Sequence, residues 1–397
     1  SWCMHCLILK IALRKMYSVK GITILLAAVS LFTGCSDQPA TVFSALGPES
    51  TGIQFSNDLY YTEDYNPYTY RNFYNGGGVA VGDINNDGLQ DLYFAGNLVS
   101  NKLYLNKGGL QFEDITEQAG IACADVWASG VNFVDINGDG WLDIYVCKAG
   151  KPGGPKRHNE LFINQGDLTF TEESKKYGLD FTGLSIQSAF FDYDLDGDLD
   201  CYLLNNSLRS VGGFDMQEGL RDVYDPEGNK LLENRNGTFV DVTREAGIYA
   251  SRIGYGLGIT LADFNQDGWP DIFLSNDFFE KDYLYFNNQD GTFTETSDSS
   301  FMSLSMGSMG ADACDLDNDL LSEIFVTEML PRDPARKKTK TVYEEWDKYQ
   351  LSVKKGYHHQ FARNVLHKNL NGKAFAEVGR LAEVDSTDWS WSALMQD

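Results

Sequence analysis

The chain has little histidine, proline or cysteine, with 5 His, 9 Pro and 7 Cys among 397 residues. It also lacks an apolar run long enough to cross a bilayer: Gly21 to Phe32 is a run of 12 residues, where a spanning helix needs about 20. Cys123, Cys147, Cys201 and Cys314 are too few for a disulfide-dependent scaffold. Cys147 and Cys201 fall inside apolar runs, so buried free thiols are expected, with a Cys123 to Cys147 bridge as the alternative. Positive charge is scarce, because 32 Lys plus Arg stand against 57 Asp plus Glu and the net charge is −25. Such a surface repels phosphate, which excludes nucleic acid as a partner of the body. No Ser–His–Asp spacing, nucleophile elbow, phosphate loop or Cys/His metal cluster is present, and no catalytic residue is assigned. A hydrophobic share of 43% still belongs to a folded protein rather than an acidic tail.

What the chain has in excess is aspartate in short loops. DYDLDGDLD, from Asp192, sets carboxylates at positions 1, 3, 5 and 9 with glycine at position 6. The spacing recurs in DINNDGLQD from Asp83, DINGDGWLD from Asp135, DFNQDGWPD from Asp263 and DLDNDLLSE from Asp315. The starts lie 52, 57, 71 and 52 residues apart, which defines a repeat of about 50 residues. Oxygen ligands at this spacing, around a glycine that permits a sharp turn, suit a hard cation such as Ca2+. Without a cation, carboxylates so crowded repel one another. The candidate ligands are Asp83, Asn85, Asp87, Leu89 and Asp91 in the first loop and Asp135, Asn137, Asp139, Trp141 and Asp143 in the second. The third offers Asp192, Asp194, Asp196, Asp198 and Asp200, the fourth Asp263, Asn265, Asp267, Trp269 and Asp271, and the fifth Asp315, Asp317, Asp319 and Glu323. Four to five Ca2+ ions are expected. The fifth site is expected to be the weakest, because Leu320 replaces the glycine and a left-handed turn there costs about 1 to 2 kcal/mol.

An EF-hand would need glutamate at position 12 and a helix after it. Position 12 is instead Phe94, Val146, Leu203, Leu274 or Val326, and position 11 is aromatic in every loop: Tyr93, Tyr145, Tyr202, Phe273 and Phe325. Apolar residues at consecutive positions predict a strand covered on both faces. A second element follows each loop, as in NKLYLNKGGLQF from Asn101, NELFINQGDLTF from Asn159, NKLLENRNGTF from Asn229, DYLYFNNQDGTF from Asp282 and NVLHKNLNGKAF from Asn364. Each reads as a hairpin with polar and glycine residues in its turn. The predicted unit is strand, calcium turn, strand, hairpin. Repeated, it predicts an all-β propeller of four-stranded antiparallel blades, with five visible at about 76–120, 127–176, 185–246, 253–297 and 305–380.

VAVGDINNDGLQDLYFAG, from Val79 to Gly96, resembles the FG-GAP or VCBS repeat of integrin α-subunit propellers and bacterial surface proteins. With YNGGGVAVGD from Tyr74 and DWSWSAL from Asp388, the body resembles the bacterial lipoproteins related to cartilage acidic protein. The resemblance implies a calcium-bound propeller and no settled ligand.

At the N-terminus, Lys10, Arg14, Lys15 and Lys20 precede the apolar run, and TGC at Thr33 to Cys35 resembles the bacterial lipobox, with Phe32 where leucine is usual. Residues 1–35 are therefore read as a signal peptide starting at Met16, with Cys35 lipidated, 36–75 as a linker and lead-in strand, and 76–397 as the propeller. The expected location is the outer membrane or cell surface of a Gram-negative bacterium, through a lipid anchor. Ordinary cleavage nearby, leaving Cys35 a plain thiol, is the alternative.

Loop position 9 and the hairpin opener are separated by 10, 16, 29, 11 and 41 residues, so insertions enter the connection between second and third strands, opposite the calcium turns. The insertion from Glu328 to Arg363 holds nine Lys or Arg against five Asp or Glu. Lys151, Lys156, Arg157, Arg336, Lys337 and Lys338 are the candidate contacts to a glycan or extracellular protein, unless these bases only neutralise carboxylates and stay solvated. LYYTEDYNPYTYRNFYN, Leu59 to Asn75, carries seven aromatics that either stack on sugars or pin a linker across the first blade. His358 and His359, pointing opposite ways on an extended strand, are expected to pack rather than to share a metal with His367. The expected function is a calcium-binding, lipid-anchored binding or adhesion module, with a calcium-dependent polysaccharide lyase as the alternative. Ala393 and Met395 repeat the small and apolar residues four and two places ahead of each loop, which makes Asp397 position 1 of a truncated sixth blade from 388.

Overall fold

The apolar run after each aspartate loop is the second strand of a four-stranded antiparallel sheet. The computed structural model describes residues 43–150, 157–206, 219–340 and 346–395, and five such sheets lie among them. The first comprises β1 (Val79–Gly82), β2 (Asp91–Phe94), β3 (Lys102–Asn106) and β4 (Phe112–Asp114), and the second β5 (Ala128–Val134), β6 (Asp143–Lys148), β7 (Glu160–Asn164) and β8 (Phe170–Glu172). The third comprises β9 (Ser185–Phe191), β10 (Asp200–Asn205), β11 (Lys230–Asn234) and β12 (Phe239–Asp241). The fourth comprises β13 (Gly256–Ala262), β14 (Asp271–Asn276), β15 (Tyr283–Asn287) and β16 (Phe293–Glu295). A parallel pair of two-residue strands, β17 (Leu304–Ser305) and β20 (Gln360–Phe361), flanks the fifth sheet of β18 (Ala311–Cys314), β19 (Glu323–Val326), β21 (Val365–Asn369) and β22 (Phe375–Glu377). Strand order follows the chain in every four-stranded sheet.

The sheets stack face on face in sequence order, with β1, β5, β9, β13 and β18 side by side. The aromatic residue at loop position 11 of one sheet enters the core formed with positions 10 and 12 of the next. Tyr93 thus shares a cluster with Ile144 and Val146, Tyr145 with Cys201 and Leu203, Tyr202 with Ile272 and Leu274, and Phe273 with Ile324 and Val326. This arrangement leaves β6, β10 and β14 buried along their whole length. The thiols of Cys123, Cys147 and Cys201 are free and buried in these layers.

The two outermost faces are partly covered by chain that belongs to no sheet, Val79 and Val81 of β1 remaining exposed. On the first sheet, Phe55 stacks on Phe94 with ring centroids 5.1 Å apart, and Tyr104 accepts the Gln54 N–H at 3.1 Å. On the last, Asp312 Oδ2 accepts the Met395 N–H at 2.6 Å, and a Cβ on Gly310 would stand 2.8 Å from Ser392 Cα. Gly258 meets Gly310 and Ala311 in the same manner, and Gly130 meets Ile186 and Gln187. Trp391 to Met395 therefore lie on β18 as β18 lies on β13.

The aromatic stretch before the first sheet is core. Tyr70 and Phe73 are buried with Trp127, Ala149 and Leu184, and the Tyr65 ring stacks on Trp127 at 5.5 Å. Tyr255 of the fourth sheet donates its hydroxyl to Asn72. The stretch thus pins itself across the second, third and fourth repeats as well as on Leu98 of the first. One-turn helices, Thr116–Ala119, Ser174–Tyr177 and Ser297–Ser300, close three of the repeats. The sequence reading missed them because a single turn has too little periodicity to register.

The residue that opens each hairpin is a buried staple. Gly96, Lys148, Asn205, Asn276 and Glu328 donate their N–H groups to Asn101, Asn159, Asn229, Asp282 and Asn364 at 2.7–3.0 Å. Asn159 also donates to the Tyr145 and Ser185 hydroxyls at 3.0 Å, which ties its sheet to the next. Because Asn159→Ala leaves the buried Lys148 N–H without its acceptor and removes the donors to the two hydroxyls, it is expected to cost about 2 to 4 kcal/mol, read as a lower urea midpoint at unchanged slope.

Candidate functional site

Each aspartate loop joins the first strand of its sheet to the second. The loop turns twice into the left-handed region. At position 6, φ is 84°, 87°, 99° and 88° for Gly88, Gly140, Gly197 and Gly268, and 71° for Leu320, so the fifth loop makes the same turn at greater cost. Position 4 is also left-handed, at Asn86, Gly138, Leu195, Gln266 and Asn318, a requirement the sequence does not advertise.

Position 1 organises the turn. Asp83, Asp135, Asp192, Asp263 and Asp315 each accept the N–H groups of positions 5 and 6 at 2.7–3.1 Å. At position 5, Asp87, Asp139, Asp196, Asp267 and Asp319 accept the N–H of position 7 at 2.8–3.1 Å. The side chains of Leu89, Trp141 and Trp269 at position 7 are apolar, so only their carbonyls could face a cation. At position 3, Asn85, Asn137 and Asn265 donate to the position 5 carboxylate at 2.9–3.1 Å.

Position 9 is different in kind. Asp91, Asp143, Asp200 and Asp271 are at most 1% exposed. One oxygen of each accepts the N–H of loop position 2, and the other the N–H of an asparagine on the third strand, at 2.7–3.2 Å. Glu323 accepts the Leu316 N–H at 2.8 Å. The third-strand asparagines then reach the preceding sheet, where Asn164, Asn287 and Asn369 donate to the carbonyls of Ile84, Tyr193 and Phe264 at 2.7–2.9 Å.

The acids converge most closely in two loops. Carboxylate oxygens of Asp192, Asp194 and Asp200 lie within 4.8 Å of one another, as do those of Asp315, Asp317 and Glu323. Burial pushes Asp143 up to about 6 and Asp200 and Asp271 up to about 7, with loop carboxylates adding to the shift, and it raises Asp91 and Glu323 as well. Asp194 and Asp198 are raised by burial and by their acidic neighbours. In the fifth loop the Lys368 ammonium binds Asp317, a second handicap for a metal that the sequence reading missed.

The insertions lie at the opposite end, as antiparallel order demands. There the predicted basic contacts separate. Lys151 and Lys156 lie outside the described residues, as does Cys35. Arg157 is only 8% exposed and donates to the Gly183 carbonyl at 2.8 Å, so it is a structural residue and not a surface base. Arg336 forms a bidentate pair with Asp388 at 2.8 and 2.9 Å. Lys337 and the exposed Lys338 lie beside it on the helix Pro334–Lys340. His358 has φ 62°, which breaks the expected extended strand and brings its ring within 5.5 Å of His359. His367 is packed on Phe301 at 4.4 Å, and burial holds it neutral with a pKa lowered to about 3.

A cavity of about 790 Å³ opens among these connections, bordered by Arg71, Asp277, Glu328, Lys348, Trp389 and Trp391. Burial pushes Asp277 up to about 6 and Glu328 up to about 7. No helix among the described residues is long and apolar enough to cross a membrane.

The chain carries FG-GAP-like repeats, matched at residues 83–146, 219–274 and 263–326. It is 28% identical to human cartilage acidic protein 1 over 205 residues, 51% of this chain and 28% of that protein. The Xenopus tropicalis cartilage acidic protein 1 is 25% identical over 279 residues, covering 65% of this chain and 40% of its own length. The chain thus spans well under half of the curated relatives it matches. Among solved structures, the V. cholerae biofilm matrix protein Bap1 overlaps 75% of this chain and 38% of its own, at 14% identity and a TM-score of 0.35.

The raised position 9 acids fix the sign of a pH effect. A carboxyl whose folded pKa lies above its unfolded value near 4 stabilises the fold in its protonated form, and that stability is lost as pH rises through the folded pKa. In the presence of a chelator, the melting temperature is expected to rise as pH falls from 8 to about 5.5, measured by scanning calorimetry. A flat or opposite slope contradicts the buried acids.

Proposed function

We propose that the aspartate loops hold Ca2+, that the stacked sheets close into a propeller, and that the molecule is a binding or adhesion module carried outside the cell on a lipid at Cys35. Its ligand is a glycan or an extracellular protein, met at the insertion-bearing end. The observation that carries this reading is the division of labour between the two ends. One repeats the same acidic loop five times, while the other varies in length from sheet to sheet and holds the cavity.

The loops suit a hard cation in their donor chemistry. They present oxygen only, three acids converge within 4.8 Å in the third loop, and Asp198 Oδ1 is buried there without a hydrogen-bond partner among the described residues. Asp192, Asp194, Asp196, Asp198 and Asp200 would hold the ion in that loop, and the corresponding residues in the first, second and fourth. Asp315, Asp317, Asp319 and Glu323 would hold one more weakly, against Leu320 and Lys368. A bound ion neutralises the acids that burial leaves raised, so its binding energy adds to the stability of the folded loops.

The polysaccharide lyase reading stays second, since uronate polymers would be drawn by the basic insertion but meet an acidic body. The test is an array of glycans and extracellular matrix proteins, probed with the calcium-loaded chain and again after chelation. Binding that is present with calcium and reduced at least tenfold without it is expected. Release of unsaturated, ultraviolet-absorbing products from uronate polymers would instead establish the lyase.

A further inference from the structure

The cavity at the insertion-bearing end contains an arrangement that the loops do not explain. Glu328 is only 3% exposed, and although the Met329 and Leu330 N–H groups face its carboxyl, Oε2 has no hydrogen-bond partner among the described residues. A buried carboxylate oxygen left this way is costly unless a ligand donates to it. Asp277 approaches the same place. A Cβ on Gly307 would stand 2.9 Å from the Met329 methyl, 3.3 Å from Asp277 Oδ1 and 3.4 Å from Glu328 Oε1, so the two acids converge there beside an apolar group.

Trp389 and Trp391 also border the cavity; their rings lie 6.2 Å apart and nearly parallel, at 12°, and remain 63% and 40% exposed. Arg71, held over the Phe278 ring at 5.1 Å, adds a donor to the lining. Exposed indoles beside fixed acceptors and a donor match a molecule with flat C–H faces and many hydroxyls. A uronate would meet both carboxylates, and a cation would meet Arg71 and Lys348. The volume of about 790 Å³ lies within the usual range for small-molecule sites.

We propose that this cavity binds a neutral saccharide, with a sugar ring laid against Trp389 and Trp391 and its hydroxyls donating to Glu328 and Asp277. The assignment rests on the insertion-bearing end being a binding surface, and it narrows the ligand class there. Glu328→Gln keeps the shape but removes the charged acceptor, and Trp389→Ala removes the more exposed indole.

The test is titration calorimetry of the calcium-loaded full chain with neutral tri- and tetrasaccharides of glucose, galactose and N-acetylglucosamine, with tryptophan fluorescence as a second readout. The wild type is expected to bind at least one of them with a change in fluorescence. Glu328→Gln should weaken binding by about 10- to 100-fold and Trp389→Ala by about tenfold, at unchanged melting temperature. Lys373→Ala, at an exposed position in the turn between β21 and β22, should bind as the wild type does. Should Glu328→Gln fail to fold, Trp389→Ala decides alone. Saccharide binding that survives both substitutions overturns this site while leaving the wider binding-module reading intact. A wild type that binds no neutral saccharide, or that binds only uronate oligomers or a lysine-rich peptide, overturns the saccharide class. Failure to bind any glycan or protein on the array is a separate outcome that removes the wider reading and this one with it.

Discussion

The buried carboxylate at loop position 9 is the group on which the rest of each repeat depends. It ties the turn to the third strand through two backbone N–H groups, one to each oxygen, in four of the five loops. Only a carboxylate could do this at that place, because asparagine offers one acceptor oxygen where two are used. The arrangement places a negative charge out of reach of water beside other acids, a situation that is tolerable only with protonation or a cation. The five loops therefore share one electrostatic problem, and the proposed Ca2+ is its common solution.

From that point the order of the fold follows. The carboxylate fixes the third-strand asparagine, which reaches back to the preceding loop and so couples neighbouring sheets at one end. At the other end the hairpin openers Asn101, Asn159, Asn229, Asp282 and Asn364 close each sheet independently of the length of chain that precedes them. A staple indifferent to loop length is what lets that connection grow to the insertion from Glu328 to Arg363 without disturbing the sheet. Length variation and the cavity collect there for that physical reason.

Much of this was legible in the chain. Aromatic residues at position 11 between apolar neighbours can only be a strand covered on both faces, and the structure places Tyr93, Tyr145, Tyr202 and Phe273 between sheets. The four-stranded antiparallel order was legible from the loop and hairpin spacings. What could not be read depends on contacts between distant residues. Nothing local to Arg157 announces that it is buried on Gly183, and Lys368 lies 51 residues from Asp317. The Leu59 to Asn75 aromatics have the same composition whether they stack on a sugar or on Trp127. Leu195 and Gln266 adopt a left-handed conformation that glycine would have signalled and they do not. The cavity was hidden for the same reason, since Arg71, Asp277, Glu328 and Trp389 come from four separate stretches.

The most direct test of the central claim is a count of metal ions on the intact folded protein by native mass spectrometry, with calcium raised stepwise from chelator-buffered trace levels. The account predicts four ions bound together at low calcium and a fifth only at markedly higher concentration, because Leu320 and Lys368 burden the last loop. A fully folded protein that carries no calcium at any concentration, or fills the fifth loop before the others, would contradict it.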